Sequence, residues 1–296
     1  MPLPPAAEDQ SFWHVSALEA GTLHLPLELV IAGAQETIVV PALSFLLRHS
    51  STGRTVVFDL GVRRDFENLP PKTVERVHKF FCPSVPQTVT ESLAIGGLQA
   101  SDVDYVIYSH LHWDHIGDPG PFTNSTFIVG EDAHEMCDPG YPQDPHAMVA
   151  SDLLPRERTR FEPRKDWTSL GPFPLAHDLF GDGSAYLVDA QGHCPGHINL
   201  LARTSTDGGW IYLAGDSAHD RRLLTGEAQE ATEVSDDGVV RALMHRNMEL
   251  AESHMRRIVA LLSEESRVRM ILAHDKDWWE INRGGEAYWP GKIPSL

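Results

Sequence analysis

Ser109-His110-Leu111-His112-Trp113-Asp114-His115 packs three imidazoles and a carboxylate into six consecutive residues, and no other stretch of the chain is so dense. With 16 histidines spread over 296 residues, this collection at fixed offsets is a specific signal and not a chance run of solvated side chains. The motif closes an apolar, strand-like run, residues 103–109. Alternate residues of an extended chain share a face, so His110 and His112 point to the same side and suit one metal ion. Asp114 and His115 fall where the chain turns before Gly117 and Pro119, and from there they aim at a neighbouring position. One loop thus feeds two ions.

Two ions need more ligands than this loop carries, and other His and Asp residues stand at comparable strand ends. His193 follows the strand-like residues 185–189 through Gln191-Gly192, Asp216 follows residues 210–214 through Gly215, and His274 directly follows residues 268–273. Ligands at the carboxyl ends of strands converge on one sheet edge.

The same short runs organise the chain. Residues 43–48, 55–60, 103–109 and 126–129 are rich in β-branched and aromatic side chains with polar or glycine boundaries, and residues 185–189, 198–203, 210–214 and 268–273 repeat the style. A helix is expected between Gly238 and Ser266, where Val240, Leu243, Met244, Met248, Ala251, Met255, Ile258, Val259 and Leu262 recur at helical spacing. A second is expected over residues 72–81, after Pro70 and Pro71. Residues 130–174 show little apolar period and read as loops and short helices. Residues 1–35 read as a partly ordered N-terminal lead-in segment, and residues 36–296 as a single domain. Two strand-rich halves with helices outside fit an α/β fold of four layers, αββα.

These motifs resemble those of the metallo-β-lactamase superfamily, and Ser109 to His115 is most similar to its N-acyl-homoserine lactonase branch. Gly192-His193-Cys194-Pro195-Gly196-His197, Leu213-Ala214-Gly215-Asp216 and Leu272-Ala273-His274-Asp275 match the remaining ligand motifs in order. The resemblance implies the αββα metallo-β-lactamase sandwich and two zinc ions per chain. It places His110, His112 and His193 on the first zinc, Asp114, His115 and His274 on the second, and Asp216 between them. Zinc bound by imidazole and carboxylate fits the residue types. His197, four residues past His193, already opens the next strand and is read as a supporting residue. Cys194 is read as a small neighbour of the site, and Asp59, in Asp59-Leu60-Gly61, as a residue that props it.

The chemistry implied is attack on a carbonyl by a hydroxide bridging the two zincs, whose bound water ionises near pH 7. Asp114 is the expected proton shuttle to the leaving group, beside the bridging Asp216. His219 departs from the lactonase pattern, which carries a tyrosine three residues after the bridging aspartate; it is a candidate donor to substrate. The substrate expected is a small hydrophobic lactone, with a cyclic amide or carbamate, or a thioester as in glyoxalase II, as alternatives. A mononuclear iron oxygenase would not need Asp114, His115 and His274 together. Trp113, Trp278 and Trp279, next to ligands in sequence, are candidate apolar walls. The remaining histidines, His245 and His254 among them, read as surface or core residues.

A count of 24 Lys and Arg against 42 Asp and Glu gives a net charge of −18, which repels a phosphate backbone, so nucleic acid and an anionic membrane face are not expected partners. The expected partner is a small-molecule substrate. No apolar run approaches the roughly 20 residues that span a bilayer, and Met1 to Gln10 lack a basic start followed by an apolar stretch. Three widely spaced cysteines, Cys82, Cys137 and Cys194, suit free thiols in a reducing compartment, and a cytoplasmic protein is expected.

Overall fold

The computed structural model describes residues 2–235 and 238–296. The N-terminal half lays down β1 (Trp13–Leu18), β2 (Thr22–Pro26), β3 (Thr37–Pro41), β4 (Ser44–His49), β5 (Thr55–Phe58), α1 (Pro71–Phe80), α2 (Val89–Ile95), β6 (Tyr105–Ile107), β7 (Thr126–Gly130), α3 (His134–Cys137) and β8 (Thr159–Glu162). The C-terminal half follows with β9 (Thr168–Leu170), β10 (Phe173–Asp178), β11 (Ala185–Asp189), β12 (Ile198–Arg203), β13 (Trp210–Leu213), α4 (Arg221–Thr225), β14 (Thr232–Val234), β15 (Val240–Ala242), α5 (Met248–Glu264), β16 (Val268–Ile271) and α6 (Lys276–Asn282).

Two six-stranded sheets result, in the orders β1-β4-β5-β6-β7-β8 and β16-β13-β12-β11-β10-β9. In the first, β5, β6, β7 and β8 run parallel; in the second, only β13 and β16 do. Period-two alternation makes the layers. Phe45, Leu47, Val56, Phe58, Ile107 and Ile128 face Leu187, Leu200, Ile211, Leu213 and Ile271 between the sheets. Their neighbours in sequence, Leu46, Val57, Val106 and Phe127, point outward to Val77 of α1 and Leu93 of α2. On the other side Val188, Leu201, Tyr212 and Met270 meet Met255, Ile258 and Leu261 of α5. The expected αββα sandwich is present.

Three expectations change. The C-terminal helix starts at Met248, not near Gly238, because Asn247 leaves helical geometry and its side chain accepts the Leu250 amide; Val240 belongs to a small hairpin with β14. Within 130–174, β8 and β9 extend the edges of both sheets. Their short polar sequences, such as Thr-Arg-Phe-Glu, carry no alternating signal. Finally, the lead-in segment holds β1, paired with β4 over six residues, and Trp13 at 1% exposure. Its strand was hidden because both faces of β1 are nearly buried, which erases the period of two.

Candidate metal centre

The carboxyl ends of β6, β13 and β16 meet at one edge. Ser109 ties the two sheets there, since its carbonyl accepts the Ile198 amide at 2.8 Å. The loop beyond it is pinned twice: the Leu60 amide donates to the His115 carbonyl at 2.7 Å, and the Gly117 amide to the Gly61 carbonyl at 2.9 Å. Gly215 (φ 48°) makes the turn into Asp216, and a Cβ there would stand 2.7 Å from Nε2 of His197, so only glycine fits without a shift. Gly192 (φ 137°) lets the His193 loop touch α5, where a Cβ would stand 2.3 Å from the Ala251 amide nitrogen.

All seven expected ligands converge. Nδ1 of His112 lies 2.9 Å from Nε2 of His110 and 2.9 Å from Nε2 of His193. Nε2 of His274 lies 3.5 Å from Oδ2 of Asp114, and Nε2 of His115 3.9 Å from Oδ1. Asp216 stands between the two groups. Its Oδ1 faces His115 at 3.3 Å and His274 at 3.4 Å, while Oδ2 faces His193 at 3.4 Å and His110 at 3.8 Å. Ligands about 2.1 Å from one tetrahedral zinc stand about 3.4 Å apart, so both groups fit an ion with small adjustments. Oδ1 of Asp216 and Nε2 of His115 are buried without hydrogen-bond partners, a costly state that coordination relieves.

The titration of these groups follows from burial and neighbouring charge. Burial holds His193 and His110 well below the usual histidine range, and His112 is lowered to about 4. Their lone pairs are free for a cation. Burial also pulls on His115 and His274, but the carboxylates prevail: Asp216 and Asp59 raise His115, and Asp216 raises His274. Burial works against the charge of Asp216 and is outweighed by His115, His274 and His219, which keep it ionised.

The supporting residues are also placed. Asp59 (φ 59°) accepts from the Ser109 amide and hydroxyl at 2.7 Å each and from Nδ1 of His115 at 2.9 Å. Nδ1 of His274 donates to the Pro41 carbonyl at 2.8 Å. His197 spends both nitrogens on backbone: Nδ1 donates to Ala190 at 2.8 Å, and Nε2 accepts the Asp216 amide at 3.2 Å. Cys194 lies in the first cluster, but burial raises its thiol well above the ordinary value, and a protonated thiol is a poor ligand. His219 is buried with Nε2 3.2 Å from Oδ2 of Asp216.

A cavity of about 810 Å³ opens over the cluster, with His112, Asp114, His193, Asp216, His219 and His274 in its floor. Leu23, Leu25, Phe81, Trp113, Met148 and Val149 give it an apolar side. Trp278 and Trp279 take no part: Trp278 fills the space between the sheets and Trp279 packs against it. Two residues of the region were not expected there: His245, read from the sequence as a surface or core residue, and Glu230. His245 lies against His193 and His219, with Glu230 behind it; nothing in their sequence surroundings marks them, because only the folded chain brings them in.

A two-sheet sandwich with paired His and Asp clusters at its strand ends offers two adjacent places for metal ions. A family model described as the metallo-beta-lactamase superfamily matches residues 37–221, and the chain belongs to that superfamily. Gamma-lactamase MBL2 of Gibberella moniliformis is 40% identical over 170 residues, 55% of this chain and 70% of that one. N-acyl homoserine lactonase AttM of Azorhizobium caulinodans is 27% identical over 194 residues, 65% of this chain and 66% of that one. The chain spans about a quarter of the first curated relative it matches, the Penicillium brevicompactum monooxygenase mpaDE', at 38% identity over 197 residues, 63% of this chain and 23% of that one. Among solved structures, an N-acyl homoserine lactone hydrolase with N-hexanoyl-L-homoserine at its catalytic metal centre superposes with a TM-score of 0.71 at 19% identity, over 99% of this chain and 100% of that one. Among the described residues no helix is long and apolar enough to cross a membrane, and Cys82, Cys137 and Cys194 are all free thiols.

Proposed function

We propose that the protein is a two-zinc hydrolase that opens a small hydrophobic lactone. The observation that carries this reading is the carboxylate of Asp216, which turns one oxygen to each of two complete ligand groups at the floor of an apolar-sided cavity. His110, His112 and His193 would hold one zinc and Asp114, His115 and His274 the other, with Asp216 between them. Zinc held there supplies a water-derived nucleophile at neutral pH and polarises a carbonyl. The chain's residues do the rest. Leu23, Leu25 and Phe81 exclude water from one side of the substrate. Asp114, buried but lining the cavity, would take the proton that the water-derived nucleophile loses as it adds to the carbonyl and pass it to the departing ring oxygen. His219 lines the cavity with Nε2 3.2 Å from Oδ2 of Asp216, where its imidazole can donate a hydrogen bond to Asp216 or to substrate.

A second reading, a cyclic amide, is favoured by the gamma-lactamase relative at 40% identity and by His219. An amide nitrogen needs protonation before it departs, and a buried imidazole beside Asp216 is placed to assist. Matched lactones and lactams assayed on the zinc-loaded protein separate the two. The account expects faster lactone opening, lowered by about a hundredfold or more in Asp216→Ala. Faster lactam opening that His219→Ala selectively removes would overturn the lactone assignment.

A further inference from the structure

His245 carries the marks of a metal ligand outside the seven residues assigned above. Its ring centroid lies 5.3 Å from that of His193 and 5.2 Å from that of His219. One ligand atom from each of these three histidines lies within 4.8 Å of the other two. Two nitrogens on one zinc stand at most about 4.2 Å apart, twice the bond length, so a small closure of the rings brings all three to one cation.

The surroundings of His245 point the same way. Oε1 of Glu230 lies 3.2 Å from Nε2 of His245, and both side chains are buried. His115 and His274 are held in a related way, by hydrogen bonds from Nδ1 to Asp59 and to the Pro41 carbonyl, and a partner of this kind fixes the ring of a metal-binding histidine; the Glu230 contact is close but makes no hydrogen bond. In front of His245 the inventory is unbalanced. Nδ1 of His193, His219 and His245 are all buried without a hydrogen-bond partner, as are Nε2 of His245 and both oxygens of Glu230. Buried polar groups are normally satisfied, and nitrogen lone pairs backed by an unsatisfied carboxylate ask for a cation.

We propose that His193, His219 and His245 form a third divalent-cation position, with Glu230 orienting His245, suited to a borderline cation such as zinc. The proposal rests on the assignment of Nε2 of His193 to the first zinc, which leaves its Nδ1 for this position. Bridging two cations costs that ring its proton, released to solvent as ligand protons are on metal binding. A cation on Nδ1 of His219 keeps the remaining proton on Nε2, 3.2 Å from Oδ2 of Asp216, so the third position sets the tautomer in which His219 donates to Asp216.

The test is the metal content of the full chain after equilibration with zinc and passage over a chelating resin, read by plasma mass spectrometry. Three zinc ions per chain are expected in the wild type and two in His245→Gln. Cobalt titration gives a second readout: the third equivalent adds visible absorbance that His245→Gln lacks, and Glu230→Gln weakens that equivalent about 10- to 100-fold. Circular dichroism checks that each variant folds. Should His245→Gln not fold, the wild-type count and Glu230→Gln decide. Two ions in the wild type overturn the third position and leave the two-zinc reading standing; fewer than two overturn both.

Discussion

Asp59 shows how much one side chain outside the ligand set does for it. Its buried carboxylate takes Nδ1 of His115 and both donors of Ser109, so it fixes the ring that faces Asp216 and the residue that begins the histidine loop. Burial pushes the Asp59 carboxyl up, against the pull of His115 and Ser109. Asp59→Asn keeps the size and tolerates the positive φ, yet loses the charge, and zinc affinity in a competition titration should fall about 10- to 100-fold. The neighbouring choice between His193 and His197 is open to the same measurement. His197 has both nitrogens engaged by backbone, so His197→Ala should retain far more zinc than His193→Ala; the reverse order would exchange their roles. These candidate ligands were legible because they sit at strand ends in compact motifs. His245 and Glu230 were not, since each is a lone residue in an unpatterned stretch that only the folded chain carries to His193.

At the scale of elements, α5 is both a wall of the core and a support for the site. Its apolar face, Met255, Ile258 and Leu261, covers the second sheet, and its cap, Asn247, donates its own amide to the Gly192 carbonyl at 2.9 Å. The following Leu250 amide is satisfied by the Asn247 side chain. Asn247→Ala should therefore cost about 1 kcal/mol of stability, measured by urea unfolding, while the backbone bond to Gly192 is retained. The helical spacing in the sequence ran past this cap because Val240, Leu243 and Met244 happen to fall in phase with the true helix. Periodicity reports a repeat and does not see the side chain that ends it. The edge strands β8 and β9 were missed for a different reason: successive residues, Arg160 and Phe161 in one and Thr168 and Ser169 in the other, are both exposed, and the strands are too short to show a period of two.

Across the whole molecule, buried neutral histidines link stability to pH. His254 lies behind the site, where its Nε2 meets Oδ1 of Asn199 at 2.8 Å together with the hydroxyls of Tyr212 and Ser217. Burial lowers it to about 3, from 6.5. Between these values the unfolded chain binds the proton and the folded chain does not, so stability falls as pH drops from about 6.5 towards 3. In His254→Gln that slope should be shallower by up to about 1.4 kcal/mol per pH unit, read from unfolding curves of the metal-free protein; an unchanged slope would mean that His254 is not held neutral. The sandwich itself was legible as two series of strands, and its layers follow from which face each strand buries. Of the cavity walls Trp113 was legible beside the histidine motif, whereas Leu23, Phe81 and Met148 were not, because they come from three distant segments. The central claim is that the His and Asp cluster works through metal. It is tested most directly by assaying lactone and lactam opening before and after complete chelation. The account predicts that activity disappears with the metal and returns with added zinc; turnover by the metal-free protein would contradict it.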